Sequence, residues 1–265
     1  MARYDFRTPR LFVAAPLGTG LTVTPEAGQV HYLTGVMRMA VGDPVLVFNG
    51  ADGEWKARLA GTKRNTVLTV EAQTRPQPAA SRLHYLFSPL KRARLDYMVQ
   101  KAVEMGASHL HPVMMRHTQA ERVNLDRMRA NAIEAAEQCG ILAIPDIAAP
   151  VDFSPALKAL GAECHLVFCD EDAPGGDPVA ALRADLGAAA GDAQDGAQAA
   201  SAAHPNGIAL AVVIGPEGGF AEEERAILLR RPHTSRIALG PRILRADTAA
   251  VAALAVVQAA AGDWR

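Results

Sequence analysis

Two glycine-rich stretches in the C-terminal part of the chain carry the strongest chemical signal. The first, Val212–Phe220, reads VVIGPEGGF, in which a buried strand ends at Gly215 and a helix is expected to begin near Ala221. Three glycines and a proline define a backbone path with no side chains in the way, so a flat or extended ligand could contact main-chain groups at a strand end. A strand-to-helix turn that needs glycine only for its geometry would give the same pattern.

The second stretch, Leu239–Ala250, reads LGPRILRADTAA. It leaves a short strand through a Gly-Pro pair and enters an Ala-rich helix, for which Asp247 or Thr248 is available as a cap. Arg242 and Arg245 flank the turn. Successive strands of a sheet are often neighbours, which would place the two glycine-rich loops side by side. The pair therefore favours one shared pocket.

Several other enzyme classes lack their motifs here. The chain has no G-x-G-x-x-G after a strand, no G-x-x-x-x-G-K-[ST], no G-x-S-x-G and no H-E-x-x-H. These absences argue against Rossmann oxidoreductases, P-loop NTPases, typical serine hydrolases and zinc proteases. The three cysteines, Cys139, Cys164 and Cys169, have neither metal-ligand spacing nor a disulfide pattern, so we expect no metal site and reduced thiols.

Composition and charge indicate a globular protein without a membrane segment. Charged residues make up 21% of the 265, and the Ala-rich run Ala249–Ala261 is broken by Gln258 and too short to span a bilayer. No signal peptide is evident, and we expect a cytoplasmic protein. Lys and Arg outnumber Asp and Glu by 18 to 12 over residues 1–137. That excess would suit a polyanion, although an ordinary solvated surface would also account for it.

The organisation of the chain predicts two domains, residues 1–75 and 76–265. Short apolar runs at Val45–Phe48, Trp55–Leu59 and Val67–Glu71 alternate with turn residues, which is typical of a small antiparallel barrel or sandwich. After the Pro-containing linker Thr74–Ser81, strands and helices alternate, which predicts an α/β domain with a largely parallel sheet.

The predicted elements of the second domain are strands at Leu83–Phe87, His109–Met115, Leu166–Cys169, Ile208–Ile214 and Arg236–Leu239, and helices that include Leu95–Val103 and Leu125–Cys139. The segment Asp170–Asn206 is rich in Ala, Gly and Asp. We interpret it as a flexible insertion without chemistry, apart from a possible helix at Asp177–Leu186.

The two glycine-rich motifs together resemble those of RsmE-type 16S ribosomal RNA uracil-N3 methyltransferases, of the SPOUT superfamily. Further matching pieces follow in order along the chain, namely Arg10 to Phe12, His31 to Arg38, Gly42-Asp43, Val47 to Gly50, Lys91, Asp96 to Gly106, Glu134 to Gly140, and Pro145. The resemblance covers nearly the whole chain except Asp170–Asn206. The sequence departs from the family pattern in having Ala221 for serine, Ala246 for threonine, Asp247 for glutamate, and no arginine over Gly140–Pro145.

The resemblance implies a PUA-like β-barrel that helps to hold RNA, followed by an α/β trefoil-knot methyltransferase domain. It also implies S-adenosylmethionine as the cofactor, a homodimer as the active unit, and a uridine in the 16S RNA of an assembled 30S subunit as the substrate. The strand end around Phe168–Asp170 would form a third wall of the cofactor site. The implied cofactor residues are Phe168, Gly215, Pro216, Glu217, Gly218, Gly219, Leu239, Gly240, Ile243, Leu244, Thr248 and Ala249.

Methyl transfer to uracil N3 requires loss of its proton, so either a base or a cation that stabilises the anion is needed. The candidates for holding RNA or the anion are Arg10, Arg38, Arg116, Arg242 and Arg245, and we favour Arg245 as the catalytic cation. Glu217 or Asp247 could remove the proton or could only hold the loops.

Other roles stay open at this point. Glu134 and Glu137 lie three apart on one predicted helix face and could pair with arginines, while His31 and His117 are interpreted as ordinary polar residues. Two other functions remain: a non-catalytic RNA-binding or ribosome-assembly protein that keeps the fold, and a SPOUT ribose 2′-O-methyltransferase.

Overall fold

The computed structural model describes residues 5, 7–62, 65–79, 81–120, 122–191 and 208–264. The chain divides into two compact units. Unit 1 comprises Met1–Pro78 and Ile133–Ile144, and unit 2 comprises Ala79–Ala132 and Pro145–Arg265. None of the helices in the described part of the chain is both long and apolar enough to cross a membrane.

Unit 1 is built on a five-stranded mixed sheet. Its strands are β1 (Arg10–Phe12), β2 (Thr22–Val23), β3 (Pro44–Phe48), β4 (Glu54–Thr62) and β5 (Asn65–Arg75), in the spatial order β1-β3-β4-β5-β2. β1 pairs with β3 in parallel and the other pairs are antiparallel, so the predicted β fold is confirmed with one parallel edge that the sequence did not predict. Helix α1 (Ala27–His31) continues into a π-helical turn at Tyr32–Val36.

The core of unit 1 comes from apolar side chains that alternate along these strands. Val45 and Val47 of β3, Ala57 and Leu59 of β4, and Leu68 and Val70 of β5 are all buried. In β4 and β5 this period of two is what a sheet with one face toward a core requires, whereas all of Val45–Phe48 in β3 is buried. The turn between β3 and β4 is held by Asn49, whose side-chain oxygen accepts the Asp52 N–H at 2.8 Å.

Arg10 does not lie on an RNA-facing surface, which corrects its proposed role. Its side chain is only 7% exposed, and its Nε donates to Glu54 at 2.7 Å. Arg75 donates to the same carboxylate at 2.6 Å, and Thr74 Oγ1 donates at 2.8 Å. Burial raises the pKa of Glu54, but the hydrogen bonds from Arg75, Arg10 and Thr74 outweigh it and hold the pKa below its ordinary value. Arg10 is therefore a structural cation.

The expected pairing of Glu137 with an arginine side chain is also wrong. The Glu137 carboxylate accepts the backbone N–H of Phe12 at 2.8 Å, and only its main-chain carbonyl accepts from Arg10, at 3.3 Å. Burial raises the pKa of Glu137. Glu134 is exposed. Glu137 thus holds strand β1 through the backbone of Phe12 instead of pairing with a charged side chain.

Unit 2 is a parallel sheet with helices. Its strands are β6 (Leu83–Phe87), β7 (His109–Met114), β8 (Asp146–Ile147), β9 (Val151–Asp152), β10 (His165–Cys169), β11 (Leu210–Ile214) and β12 (Thr234–Ile237). Its helices are α2 (Ala93–Glu104), α3 (Leu125–Cys139), α4 (Phe153–Ala159), α5 (Pro178–Gly191), α6 (Glu222–Arg230) and α7 (Ala246–Ala261); α3 begins in unit 2 and ends in unit 1. The spatial order is β12-β10-β11-β6-β7-β8, with β9 beside β7, and every pair is parallel.

The predicted parallel α/β domain is confirmed, with one shifted strand. β12 occupies Thr234–Ile237 instead of Arg236–Leu239. The chain leaves the sheet before Gly240, which has a φ of +98°, and before Pro241, which has no N–H to donate to a neighbouring strand. The trefoil knot that the resemblance implies stays a prediction.

The possible helix at Asp177–Leu186, within the segment Asp170–Asn206, is confirmed. Residues Pro178–Gly191 form α5, which is longer than the possible helix at Asp177–Leu186. Leu182 and Leu186, four residues apart, are buried, and Arg183 Nη2 donates to the Ala259 carbonyl at 2.7 Å. Helix α5 packs against α7 and β12. Residues 192–206 lie outside the described part of the chain.

The Glu54 cluster leads to a stability prediction for unit 1. Glu54→Gln should lower the free energy of unfolding by about 3 kcal/mol, because removing one partner of a buried ion pair leaves the other charge uncompensated. Urea unfolding followed by tryptophan fluorescence measures the change. The matched control is Glu71→Gln, whose pair with Arg58 has side chains that are 36% and 44% exposed. We expect that control to lose less than about 1 kcal/mol.

The same carboxylate predicts a pH effect of known sign. Because the pKa of Glu54 is lower in the folded state than in the unfolded state, its stabilisation is complete above the unfolded-state pKa. The stabilisation disappears as the pH falls through the folded-state pKa. The difference in unfolding free energy between the wild type and Glu54→Gln should therefore shrink on acidification, and a difference that grew instead would contradict this account.

Candidate functional site

Three loops of unit 2 meet where three neighbouring strands end. Phe168 of β10 pairs with Val213 of β11 on one side and with Arg236 of β12 on the other, so all three strands finish at the same edge. The loops that follow them surround a cavity of about 590 Å³. This volume lies within the range of roughly 300–1,000 Å³ that is usual for small-molecule sites.

The glycine-rich loop after β11 presents backbone to this cavity. The Gly219 N–H donates to the Pro216 carbonyl at 2.9 Å, which closes a tight turn, and Gly219 has a φ of +73°. A Cβ atom at Gly215 would lie 3.0 Å from the Phe220 ring, so a larger residue would push that ring away. Phe220 stands edge-on to Phe168 with ring centroids 5.1 Å apart. These ring contacts hold the glycine-rich loop against β10.

The loop after β12 forms the facing wall and leads into α7. Arg245 occupies the N-cap position in extended backbone, and the Ala249 N–H donates to its carbonyl at 2.8 Å. The expected capping by Asp247 or Thr248 is wrong, because the helix already begins at Ala246 and both residues lie inside its first turn. The side chain of Asp247 accepts the Thr248 N–H at 3.0 Å.

The structure brings most of the sequence-predicted cofactor residues to this cavity. Those that line it are Gly215, Pro216, Glu217, Gly218, Gly219, Leu239, Gly240, Ile243, Leu244 and Ala249. Phe168 is fully buried behind Phe220 and does not line the cavity, and the exposed Thr248 does not line it either. From the strand end at 168–170, Cys169 and Asp170 are the residues that reach the cavity.

The predicted arginines divide into two groups. Arg242 and Arg245 line the cavity, whereas the exposed Arg116 belongs to the loop after β7 and does not. Arg38 belongs to unit 1, where it is exposed and has an unusual φ of 56°, and Arg10 is buried in that unit. The cavity thus has two of the five proposed RNA-binding cations in its wall.

Asp170 organises a charged cluster that the sequence did not reveal. Its carboxylate, 6% exposed, accepts from Arg225 of α6 at 3.0 Å and pairs with Arg236 of β12. Burial raises the pKa of Asp170, but the hydrogen bonds from Arg225, the Asp172 N–H and Arg236 bring it below its ordinary value. The two arginines follow Asp170 by 55 and 66 residues, so no local motif could indicate the cluster. It ties the three strand-end segments together.

A second group of contacts lies against the glycine-rich loop. Glu217 pairs with Arg94 of α2, with an N–O distance of 3.7 Å and both side chains partly exposed. His117, in the loop after β7, lies with Nδ1 3.1 Å from the Gly219 carbonyl oxygen. A Cβ atom at Gly218 would be 3.2 Å from the Cβ of His117, so this glycine permits the close approach.

Glu224 closes the start of α6. Ala221 offers no side-chain cap, and the Glu224 carboxylate instead accepts the Ala221 N–H at 2.9 Å. Its other oxygen accepts the Arg116 N–H at 2.8 Å, which joins the loop after β7 to the helix that follows the glycine-rich loop. Glu224 thus takes the place of a side-chain cap from residue 221.

The cavity's chemistry is that of a polar binding site rather than of a metal or thiol centre. Among the described residues, no group of three or more His, Cys, Asp or Glu side chains is arranged to hold a metal ion. Burial raises the pKa of Cys169 to about 12, so its thiol stays protonated and is not a nucleophile. The groups that the cavity offers to a ligand are main-chain groups and charged side chains.

Comparison with known families decides the class of this fold. Residues 77–258 match a family described as an RNA methyltransferase domain, and residues 25–71 match an RNA methyltransferase PUA domain. The chain belongs to the RNA methyltransferase family. The first match includes all three strand-end loops of the cavity, and the second lies within unit 1.

Named relatives agree with this assignment and confirm the RsmE-type resemblance. A ribosomal RNA small subunit methyltransferase E from Rickettsia conorii is 27% identical over 230 residues, which cover 86% of each chain. The protein of the same name from Synechocystis is 28% identical over 253 residues, which cover 94% of this methyltransferase and 77% of the relative.

Solved structures show the same fold. A ribosomal RNA small subunit methyltransferase E from Neisseria gonorrhoeae, bound to S-adenosylmethionine, is 25% identical with a TM-score of 0.80 and covers 98% of this chain and 100% of its own. A Legionella pneumophila protein that also contains S-adenosylmethionine is 23% identical with a TM-score of 0.76, covering 97% and 99%. At that identity the second likeness shows the fold alone.

The Asp170 cluster predicts how firmly the cavity wall is held. Asp170→Asn should lower the free energy of unfolding by about 3 kcal/mol, because Arg225 and Arg236 lose their shared buried counter-charge. Amide hydrogen exchange should also accelerate between residues 238 and 245. Asp172→Asn is the matched control, because Asp172 pairs with the same Arg225 at 3.2 Å but is 77% exposed. An equal loss in both variants would show that burial of Asp170 is not what matters.

Proposed function

We propose that this protein transfers a methyl group from S-adenosylmethionine to N3 of a uridine in 16S ribosomal RNA, within an assembled 30S subunit in the cytoplasm. The observation that carries the proposal is the single cavity to which both family motifs contribute, at the ends of β11 and β12. The names of the relatives support ribosomal RNA of the small subunit as the substrate class.

S-adenosylmethionine fits the residues of the cavity. The glycines at 215, 218, 219 and 240 leave main-chain groups accessible, as an extended nucleoside ligand requires. Gly215–Gly219 and Leu239–Leu244 would hold it from two sides, with Ala249 behind them and the 169–170 strand end as a third wall. When bound, this cofactor supplies an activated methyl electrophile, so the chemistry requires no metal.

The protein's own task is to align and activate the uracil. N3 lies on the Watson–Crick edge, so the target base must be unpaired or turned out of its stack. Arg245 lines the cavity at the N-terminus of α7, where its charge and the helix dipole both favour a developing anion. We assign Arg245 the role of holding the deprotonated uracil.

The remaining cations have supporting roles in this proposal. Arg242 at the cavity wall, and the exposed Arg116 and Arg38, would contact the phosphate backbone of the RNA. Arg10 is excluded from this set because its side chain is buried and paired with Glu54. Glu217, paired with Arg94, would order the β6–α2 loop against the glycine-rich loop and act as a positioning residue.

We further propose that the active unit is a homodimer, as the family resemblance implies. The exposed apolar side chains Tyr97, Ile243 and Trp264 of unit 2 support this, because a dimer interface would remove such groups from water. Sedimentation equilibrium should give twice the mass of one chain. A single-chain mass at micromolar concentration, with activity retained, would overturn this part of the proposal.

The test of the reaction is nucleoside mass spectrometry of 16S RNA. Unmethylated 30S subunits are incubated with the protein and labelled S-adenosylmethionine, and we expect the label in N3-methyluridine. Label in a 2′-O-methylated nucleoside would mean that the ribose 2′-hydroxyl, and not N3 of the base, is the methylated group. Cofactor and RNA binding without transfer would support instead a non-catalytic ribosome-assembly protein.

Substitution of Arg245 separates catalysis from cofactor binding. Arg245→Ala should slow single-turnover methylation by about 100-fold, the usual effect of removing one group that stabilises transition-state charge. The Kd for S-adenosylmethionine, measured by calorimetry, should change little. Arg245→Lys should recover part of the rate because it keeps the charge. Arg230→Ala, at the exposed C-terminal end of α6, is the matched control and should react as the wild type does.

A further inference from the structure

His117 is held in place by its neighbours on both sides. The Met115 N–H donates to Thr118 Oγ1 at 2.8 Å, and Thr118 Oγ1 lies 2.9 Å from Ser88 Oγ at the end of β6. The Arg116 N–H donates to Glu224 at 2.8 Å. The loop around His117 is thus tied to the sheet edge and to α6, so the position of the ring is set by the fold.

The contact with Gly219 fixes the tautomer of His117. A main-chain carbonyl oxygen only accepts hydrogen bonds, so at 3.1 Å Nδ1 must carry the proton. In the neutral ring, Nε2 then has a free lone pair. The side chain is exposed, and within the described residues no group is hydrogen-bonded to Nε2. This is the state in which an imidazole can accept a proton.

His117 also lies next to the cavity. Gly218 and Gly219 line it, and His117 touches both, through its Cβ near Gly218 and through Nδ1 at the Gly219 carbonyl. Two of the carboxylates that line the cavity are committed to cations, since Asp170 pairs with Arg225 and Arg236, and Glu217 pairs with Arg94. The ring therefore combines proximity to the cavity with an accessible lone pair.

We propose that Nε2 of His117 accepts the N3 proton of the target uracil; this rests on the proposed function. The N3–H bond breaks with its electron pair left on the ring nitrogen, and a new Nε2–H bond converts the imidazole to imidazolium. The resulting uracil anion is stabilised by Arg245, and the imidazolium later returns its proton to water. Each step conserves charge and needs no further reactant.

The charged groups around His117 are compatible with that cycle. Arg116 precedes it, Glu224 accepts the backbone N–H of that arginine, and the Glu217–Arg94 pair lies across the glycine-rich loop. The Gly219 carbonyl stabilises the imidazolium by keeping its hydrogen bond from Nδ1. The same hydrogen bond allows a purely structural role, in which His117 only clamps the loop, and the experiment must separate the two.

His117→Asn makes that separation, because an amide N–H can still donate to the Gly219 carbonyl while the side chain cannot act as a base. We expect the Kd for S-adenosylmethionine to stay within about twofold and single-turnover methylation of 30S subunits to slow by about 100-fold, the usual scale of general-base catalysis. His233→Asn is the matched control. His233 comes just before the first residue of β12, whereas the cavity lies beyond the last residue of that strand, and asparagine tolerates its φ of 52°.

A more acidic substrate gives an independent readout. In 30S subunits whose RNA carries 5-fluorouridine, the electron-withdrawing fluorine weakens the N3–H bond, so proton loss depends less on a base. The deficit of His117→Asn should then shrink at least tenfold. An unchanged deficit on both substrates, or a wild-type rate for His117→Asn, would overturn the role as proton acceptor. Failure of the wild type to methylate uridine would instead overturn the proposed function, and this inference with it.

Discussion

Parallel pairing of β10, β11 and β12 is the constraint on which the rest of the site depends. Because parallel strands all point the same way, their carboxyl ends meet at one edge, and loops that are distant in the sequence become neighbours. The hydrogen bonds between these strands do not by themselves fix the conformation of the loops beyond the strand ends. The Asp170 carboxylate adds that control, since it binds Arg225 of α6 and Arg236 of β12 from its place after β10.

The glycines in the cavity wall have consequences for where chemistry can take place. Glycine at 215, 218 and 219 removes side chains that would block an extended ligand, but it also removes functional groups. In the proposed mechanism, the reactive side chains therefore come from elements next to the glycine-rich loop. Arg245 enters from the start of α7, and His117 reaches the loop from the end of β7. In the proposed mechanism, recognition and activation are thus supplied by different elements.

The sequence was sufficient where short-range pattern determines structure. Short apolar runs between turn residues predicted the strands, and the two Gly-Pro loops predicted a shared cavity that the structure forms. It was insufficient where a contact joins distant positions. Arg10 looked like a surface cation, yet it finds Glu54 across 44 residues. Helix α5 extends to Gly191, beyond the predicted end at Leu186, because its Ala- and Gly-rich continuation gives little amphipathic signal in the sequence.

Charge pairing explains how one site can serve a cationic cofactor and an anionic substrate. Asp170 and Glu217 are neutralised by arginines from other elements, so neither repels RNA at close range. Within the described residues, Arg242 and Arg245 line the cavity without an ion-pair partner, which leaves their charge available for phosphate or for a uracil anion. At physiological ionic strength, surface charges act over only about 8 Å, so these two cations matter only for RNA that already lies at the cavity. In the proposed function, selection of the correct uridine therefore depends on contacts outside the cavity, to which the exposed Arg38 of the PUA-like unit 1 would contribute.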